Sequence, residues 1–360
     1  MARVLVAMSG GVDSSVAAGL LLEAGHEVIG VTMQVWPEEG AARQDRHGGC
    51  CGLGAVSDAR AVASVLGIPY YVFNMREVFQ RHVIDAFTDA YARGRTPNPC
   101  IACNEHVKFR ALWEKADALD ADFLATGHYA RLGTAGDGRP RLRRAADPRK
   151  DQSYVLYPIR RDLLPRLLFP VGEQSKEETR AEARRLGLAV ADKPDSVDIC
   201  FVGEEGYTSV VAASRPDAFR PGPILDTQGN ALGTHRGLPA YTVGQRRGLG
   251  LDGGPARYVI ALDPDRNAVI VGGPEDVFTE ACVAIEPNWL AIDDLQETLR
   301  VSARVRSSGA EIPAEIAPLA GGQVRVRFLE PARAVTPGQA VVFYDGDDVL
   351  GGAVIDHVEG

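Results

Sequence analysis

The segment VLVAMSGGVDSS, residues 4–15, decides the fold class of this 360-residue chain. Its apolar run Val4–Met8 predicts a buried strand, and the apolar spacing between Val16 and Leu21 predicts the helix that follows. The next apolar run, Val28–Met33, is predicted to be a second strand. A strand, a glycine-containing turn, a helix and another strand in this order indicate a βαβ unit.

Two further cycles of helix and strand follow in the sequence. Ser57 is predicted to cap a helix that ends at Gly67, and PYYVFN, residues 69–74, has the composition of a strand. The helical spacing of residues 109–116 leads into DFLATG, residues 122–127. This alternation predicts an α/β fold with a doubly wound parallel sheet, in which ligands bind at the carboxyl ends of the strands.

The pattern changes in the second half of the chain. Ser175 and Glu178 form a capping-box pair for one more helix, after which Gly and Pro become frequent and short β-type runs replace the helical spacing. We therefore predict three domains: an α/β domain at 1–205, a small mainly-β central domain at 206–280 and a C-terminal β-barrel at 281–360.

Composition and charge limit the function. With 45% hydrophobic and 24% charged residues the chain is an ordinary globular protein, and its net charge of -9 argues against indiscriminate binding to nucleic acid. The amino-terminal segment lacks the length and flanks of a signal peptide or a spanning helix, so we expect a cytoplasmic protein with no membrane partner. RPRLRRAADPRK, residues 139–150, could bind RNA locally, but its spacing alone favours a solvated hairpin.

The turn Ser9–Ser15 is predicted to bind phosphate. Gly10 and Gly11 let the backbone approach an anion, and the amides and dipole of the helix start favour negative charge. The string is neither a Walker A motif nor a dinucleotide fingerprint. It resembles the SGGxDS signature of PP-loop ATP pyrophosphatases, which cleave ATP between the α and β phosphates and transfer AMP to an oxygen of their substrate. The resemblance implies ATP, with Mg²⁺ acting beside Asp13.

Three cysteines are candidates for chemistry. Cys100 and Cys103 form a CxxC pair on a proline-stiffened turn before a helix, and Cys200 lies far downstream. A CxxC pair alone fits a redox role, metal binding or chance. Four-cysteine zinc would need a second close pair, and Cys50 and Cys51 are adjacent, which suits tetrahedral ligation poorly. We assign no metal ligands.

Several segments together resemble the tRNA-specific 2-thiouridylases, in that family's order and over nearly the whole chain. They are SGGVDSS (9–15), TPNPCIACN (96–104) with VKF (107–109), ATGHYA (125–130), KDQSY (150–154), DSVDICF (195–201), TVGQRRGLG (242–250) and VTPGQAVVFY (335–344). Other PP-loop enzymes, such as GMP and NAD synthetases, share the phosphate loop but not the cysteine segments.

The resemblance implies a role for each matching residue. Cys103 matches the nucleophile and Cys200 the persulfide-bearing cysteine, with Asp13 as a further catalytic residue. The positions that match the ATP site are Ala7, Met8, Ser9, Gly10, Gly11, Val12, Asp13, Ser14, Met33 and Gly127. The positions that match contacts with tRNA are Asn98, Pro99, Cys100, His128, Lys150, Asp151, Gln152, Arg306, Ser307 and Gln339. Many members have Asp at the position of Cys100 and Tyr at that of Ser307.

The expected reaction is ATP-dependent 2-thiolation of the wobble uridine of tRNA. Adenylation of the C2 oxygen would make it a leaving group, and a Cys200 persulfide, supplied by a sulfur-carrier protein, would deliver sulfur through Cys103. Two alternatives stay open at this point. In one, Cys100, Cys103 and Cys200 hold an iron-sulfur cluster, and in the other the chain is a PP-loop ligase for a small molecule.

Overall fold

The computed structural model describes residues 1–36, 53–136, 138–195, 199–251 and 254–359. Cys50 and Cys51 lie outside these ranges. The chain divides into two compact units. The first comprises Met1–Val83, Cys100–Glu204 and Asp347–Val349, and the second comprises Ile84–Pro99, Glu205–Gly346 and Leu350–Gly360. The predicted domain boundaries at 205/206 and 280/281 stay predictions.

A parallel sheet forms the centre of the first unit. The strands of this unit are β1 (Arg3–Ala7), β2 (Glu27–Gln34), β3 (Tyr70–Asn74), β4 (Phe123–Thr126), β5 (Ala130–Thr134), β6 (Pro140–Arg144) and β7 (Leu167–Leu168). Among the described residues, the parallel sheet has the order β3-β2-β1-β4-β7, while β5 and β6 form an antiparallel hairpin. The order reverses direction at β1. A crevice is therefore expected outside the carboxyl ends of β1 and β4.

The α-helices of the chain include several short segments and two π-helical stretches. They are α1 (Val12–Glu23), α2 (Leu53–Leu66), α3 (Arg76–Phe79) followed by the π-helix Gln80–Asp85 and α4 (Ala86–Ala92), α5 (Pro99–Ala102) followed by the π-helix Cys103–Ala111 and α6 (Leu112–Asp117), α7 (Lys176–Arg185) and α8 (Tyr207–Ser214). Short 3₁₀ turns lie at Ser153–Leu156, Arg161–Arg166, Pro216–Ala218, Leu238–Ala240 and Ala320–Gly322.

One predicted helix start is confirmed and another is wrong. The capping box of Ser175 and Glu178 is formed at α7, with both of its hydrogen bonds present. The helix predicted to begin at Ser57 begins at Leu53, because its buried stripe already includes Ala55, one turn earlier. Ser57 is therefore an internal helical residue.

The core of the first unit lies between β1 and its covering helices. Val4 and Val6 are fully buried on one face of β1, and Val16 and Ala17 of α1 pack in the same cluster. Complete burial of a valine stabilises a protein by about 1.5–3 kcal/mol. This packing fixes the turn between β1 and α1 against the sheet.

The second unit contains two β structures. Its strands are β8 (Gly222–Leu225), β9 (Ala231–His235), β10 (Tyr258–Asp263), β11 (Ala268–Gly272), β12 (Phe278–Trp289), β13 (Leu299–Arg304), β14 (Ile312–Leu319), β15 (Gln323–Arg333), β16 (Ala340–Asp345) and β17 (Asp348–Glu359). Among the described residues, β10-β11-β8-β9 form a small mixed sheet, and β12-β15-β14-β13-β16-β17 close into a barrel through β12–β17 pairing. The predicted fold class, an α/β region followed by β-rich parts and a barrel, is confirmed.

Candidate active site

A cavity of about 490 Å³ opens at the carboxyl ends of β1 and β4, where the strand order of the parallel sheet reverses. The residues that line it and were predicted for the ATP site are Ala7, Met8, Ser9, Gly11, Val12, Asp13, Ser14, Met33 and Gly127. Three residues predicted to contact tRNA also line it: His128, Lys150 and Gln152. The sheet topology therefore brings these separate sequence segments together.

The turn between β1 and α1 is shaped to receive an anion. Gly10 has φ +69°, and a Cβ there would lie 2.3 Å from the carbonyl oxygen of Ala55. The backbone N–H of Ser9 donates to Ser14 Oγ (3.1 Å). Gly11, the N-cap of α1, has no side chain with which to satisfy the first amides of the helix. Those amides, with the helix dipole, form an anion site of the kind that binds phosphate.

The segment after β4 packs directly on this loop. A Cβ at Gly127 would lie 2.4 Å from the backbone nitrogen of Ser14, so only glycine fits. The next residue, His128, is buried, with Nδ1 2.7 Å from Thr126 Oγ1 and Nε2 3.4 Å from Lys108 Nζ. Burial, with a smaller contribution from the charge of Lys108, lowers the pKa of His128 well below 6.5. The ring is therefore neutral near pH 7 and can donate or accept a hydrogen bond.

Asp13 is held by two side chains from other elements. Its carboxylate accepts hydrogen bonds from Lys176 Nζ (2.7 and 2.9 Å) and from the hydroxyl of Tyr129 (2.8 Å). Lys176 also contacts Asp195 (2.8 Å), and Lys193 donates to the carbonyl oxygen of Gly10 (3.0 Å). Lysines therefore hold both the loop backbone and its carboxylate.

Cys103 lies on a helix that reaches the cavity. It is partly exposed at the start of the π-helix, and Lys108 on the same π-helix lines the cavity wall. The side chain of Asn104, which is buried, donates to the carbonyl oxygen of Val155 (2.9 Å) and so fixes the helix beside the 3₁₀ turn. Cys100 is exposed one turn earlier, in α5.

Cys200 is anchored by its neighbour Phe201. The Phe201 ring packs on Trp36 (centroids 6.5 Å apart) and on Phe79 (6.1 Å), and all three rings are buried. Trp36 follows β2, whose residue Met33 lines the cavity. Asp195, which precedes Cys200 in the chain, lines the cavity as well. Both thiols thus lie on segments that border the same cavity.

Comparison with known proteins agrees with this geometry. The chain matches the models of a tRNA methyl transferase HUP domain at residues 2–204, a tRNA methyl transferase PRC-barrel domain at 211–273 and an aminomethyltransferase beta-barrel domain at 279–355. It is 53% identical over 360 residues to the tRNA-specific 2-thiouridylase MnmA of Symbiobacterium thermophilum, covering 98% of this chain and 92% of the relative. It is 50% identical over 355 residues to MnmA of Acetivibrio thermocellus, covering 98% and 99%.

The chain belongs to the tRNA-specific 2-thiouridylase family. This confirms the predicted family and, with it, the predicted class of enzyme, an ATP-dependent tRNA sulfurtransferase. Among solved structures, a 4-thiouridine synthetase bound to RNA and ATP is 21% identical over 56% of this chain and 45% of that chain. Its TM-score of 0.35 is too low to carry an argument. None of the helices in the described ranges is long and apolar enough to span a membrane.

Two of the residues predicted to contact tRNA hold backbone near the cavity of this 2-thiouridylase. Asp151 accepts hydrogen bonds from the backbone of Ala145 and from Ser153, and Gln152 Oε1 accepts from the backbone of Tyr129. Their positions suit a support for the segment that presents His128 and Lys150. A direct contact between them and tRNA stays a prediction.

The remaining predicted tRNA contacts belong mainly to the second unit. Gln339 donates to the carbonyl oxygen of Thr96 (2.8 Å), two residues before Asn98, and the backbone of Thr96 donates to Pro337 (2.9 Å). A terminal nitrogen of Arg306 lies within 3.0 Å of Val243 O, Ala334 O and Thr336 Oγ1, whereas Ser307 is exposed. Arg306 and Gln339 therefore have clear structural roles within this unit. Pro99 begins α5.

The arginines of the hairpin β5–β6 are engaged with carboxylates. Arg131 contacts Asp347 (2.7 Å), Arg143 contacts Asp348 (2.6 Å) and Arg141 lies 3.8 Å from the same carboxylate. Sequence spacing gave no indication of these partners, which lie about 200 residues away in the chain.

Sequence analysis missed Lys176, Asp195, Lys193 and Tyr129. All four line the cavity, and three of them are joined to Asp13 directly or through Lys176. Their spacing in sequence carries no motif. One signal was available: Lys176 lies in the first turn of a helix, where the helix dipole disfavours a positive charge.

Metal binding was tested against the donor groups. In the part of the chain that the structure describes, which includes Cys100, Cys103 and Cys200, no three His, Cys, Asp or Glu side chains converge as a metal site. The three thiols therefore do not fit an iron-sulfur cluster in this arrangement. Asp13 and Asp195 are two carboxylates in the cavity, which suits a Mg²⁺ that takes its other ligands from phosphates and water.

Proposed function

We propose that this chain uses ATP to activate the C2 oxygen of the wobble uridine of tRNA and replaces it with sulfur carried by Cys200. The observation that supports this most directly is the single cavity at the strand reversal. It contains the phosphate loop and four lysines, Lys108, Lys150, Lys176 and Lys193, and the segments of both thiols border it.

The first step is adenylation. The C2 oxygen of uridine attacks the α phosphorus of ATP and pyrophosphate leaves. The amides at the start of α1 and the lysines of the cavity stabilise the negative charge that develops on the leaving group. Mg²⁺, held by Asp13 and Asp195, would supply further positive charge at the phosphates. Met33 and Gly127 border the space for the nucleoside and phosphates.

The second step transfers sulfur. The thiolate of Cys103 attacks the inner sulfur of a Cys200 persulfide, which forms a Cys103–Cys200 disulfide and releases hydrosulfide. Hydrosulfide adds to C2, and AMP leaves with the original oxygen. The disulfide is then reduced by a dithiol, and a persulfide-donating sulfur-carrier protein reloads Cys200. The exposure of part of Cys200 is consistent with such a donor.

The target base must leave its stack to enter the cavity. Extrusion costs a few kcal/mol and is least costly in a single-stranded anticodon loop. We propose that Asn98, Pro99 and Cys100 meet the base, and that neutral His128 forms a hydrogen bond to the tRNA. Lys150, Asp151, Gln152, Arg306, Ser307 and Gln339 are proposed to orient the tRNA or the loops that contact it.

Single serine variants test the sulfur relay. Cys103→Ser and Cys200→Ser should each reduce 2-thiouridine formation to background, since each removes a sulfur atom that the transfer needs. Cys100→Ser is the matched control from the same segment and should keep measurable product. Mass analysis of nucleosides measures the product after incubation with tRNA, ATP and a sulfur source, and pyrophosphate release measures the first step separately.

Two results would refute the relay. One is normal 2-thiouridine formation by Cys103→Ser or Cys200→Ser. The other is stoichiometric iron and sulfide in anaerobically purified, active protein, which would favour the cluster mechanism. A colourless, iron-free and fully active protein supports the relay.

A further inference from the structure

Lys176 occupies a position that is unfavourable for a cation. It is the first residue of α7, only 7% exposed, and every other charged end of that helix follows the dipole rule. Glu177 and Glu178 lie in the first turn, and Arg184 and Arg185 lie in the last. Burying an ammonium group is costly unless it is paired. Its partners must therefore offset this cost.

Those partners come from two functional segments. Nζ of Lys176 contacts Asp13 Oδ1 and Oδ2 (2.7 and 2.9 Å) and Asp195 Oδ1 (2.8 Å). An ammonium group has three donors, so these contacts use all of them. Asp13 belongs to the phosphate loop, and Asp195 lies five residues before Cys200. Lys176 is thus a direct bridge between the two segments.

Asp195 is the shared acceptor of three cations. Besides Lys176, it contacts Lys150 (2.8 Å) and Arg180 (3.0 Å). Burial raises the pKa of Asp195, but the hydrogen bonds from Lys150 and Lys176 outweigh it and lower the pKa to about 2. The carboxylate is therefore ionised at neutral pH. Lys150 and Lys176 also line the phosphate cavity, so an incoming triphosphate competes with Asp195 for both lysines.

We propose that Lys176 is a positioning residue that couples occupancy of the phosphate loop to the accessibility of Cys200. Without nucleotide, Lys176 holds the chain at Asp195 against Asp13. When phosphates enter, Lys150 and Lys176 turn towards them and the restraint on Asp195 weakens. Cys200 then becomes more accessible, so the thiol is presented after ATP has bound. The importance of Cys200 in this inference rests on the proposed function.

Thiol alkylation measures this coupling without tRNA or turnover. The rate at which iodoacetamide modifies Cys200 is followed by peptide mass spectrometry, with and without a saturating α,β-methylene analogue of ATP. In the unmodified chain the analogue should raise the Cys200 rate several-fold. In Lys176→Met the analogue should bind, as measured by calorimetry, but leave the Cys200 rate unchanged. Lys176→Arg should restore part of the response because it keeps the charge.

Lys193→Met is the matched control. It removes the same charge from the same cavity, but Lys193 contacts Gly10 O and Asp58 rather than Asp195. Its Cys200 response to a saturating analogue should therefore persist. If Lys176→Met does not fold, Asp195→Asn tests the same link from the other end while keeping the contact between Lys176 and Asp13.

Three results would overturn the proposal. They are no change in the Cys200 rate of the unmodified chain, a full response in the folded Lys176→Met or Asp195→Asn variant, and loss of the response in Lys193→Met at saturation. This experiment is separate from the test of the relay. A catalytically active Cys200→Ser variant would refute the relay while the alkylation response still reports on Lys176.

Discussion

Gly127 shows how a single hydrogen atom in place of a side chain can determine whether the nucleotide site forms. It follows β4, and its α carbon faces the backbone of α1 at Asp13 and Ser14. Any Cβ would lie 2.4 Å from Ser14 N, which real Cβ contacts do not tolerate. Since Ser14 and Asp13 both line the cavity, relief of this clash must move the phosphate loop.

We therefore expect Gly127→Ala to reduce ATP binding at least about tenfold, which corresponds to about 1.4 kcal/mol, and to destabilise the fold by about 1–3 kcal/mol through overpacking. Gly136→Ala is the matched control, because a Cβ there has no atom within 4 Å. Calorimetric titration with a non-cleavable ATP analogue and thermal unfolding measure the two effects. Equal affinity in both variants would contradict the steric argument.

The residues that sequence analysis could and could not find differ in a physical way. The phosphate loop is continuous in sequence and performs its task with its own backbone, so the pattern of Ser9 to Ser15 was sufficient. Lys176 and Asp195 act on Asp13 across more than 160 residues of chain, and ion pairs leave no local pattern. The unfavourable helical position of Lys176 was the available signal.

At the scale of elements, alternation of strands and helices was enough to predict the parallel sheet and hence the site at its strand reversal. The capping box of α7 was predictable because both partners lie within one turn. The π-helices Gln80–Asp85 and Cys103–Ala111 were not, because an extra residue per turn has no distinct hydrophobic period. These two segments meet through His82 and His106, whose rings lie 4.6 Å apart.

The contact between these elements predicts a pH dependence of stability. Burial, followed by the charges of His82 and Arg110, lowers the pKa of His106 to about 4. Between pH 6.5 and about 4 the unfolded chain binds a proton that the folded chain does not, so the free energy of unfolding falls as pH falls through this window. His128 adds a contribution of the same sign.

His106→Gln should make this dependence shallower, by less than about 1 kcal/mol per pH unit because the half-buried ring is partly screened by water. Urea unfolding between pH 7 and 4.5 measures the slope. His357→Gln, which removes an exposed histidine beside Asp356, is the control and should leave the slope unchanged. An unchanged slope in His106→Gln would show that the packing of His82 and His106 does not set the proton balance.

At the scale of the whole molecule, a net charge of -9 must be reconciled with a tRNA substrate. Non-specific affinity for nucleic acid comes from unneutralised Lys and Arg, and here many cations have carboxylate partners. Lysines surround the cavity, whereas the hairpin arginines face Asp347 and Asp348. This distribution favours recognition at a few chosen places over general attraction to phosphate.

The hairpin arginines provide the test of this distribution. Arg143→Glu with Arg144→Glu should weaken tRNA binding by about tenfold at low salt and reduce its salt dependence, because phosphates can compete with Asp348 for these partly exposed side chains. Arg184→Glu with Arg185→Glu is the matched control. It is also an adjacent, ion-paired arginine pair, at the exposed end of α7. Filter binding at several salt concentrations measures both. Equal losses for the two pairs would indicate a general charge effect, and no loss for the first pair would remove the hairpin from the tRNA interface.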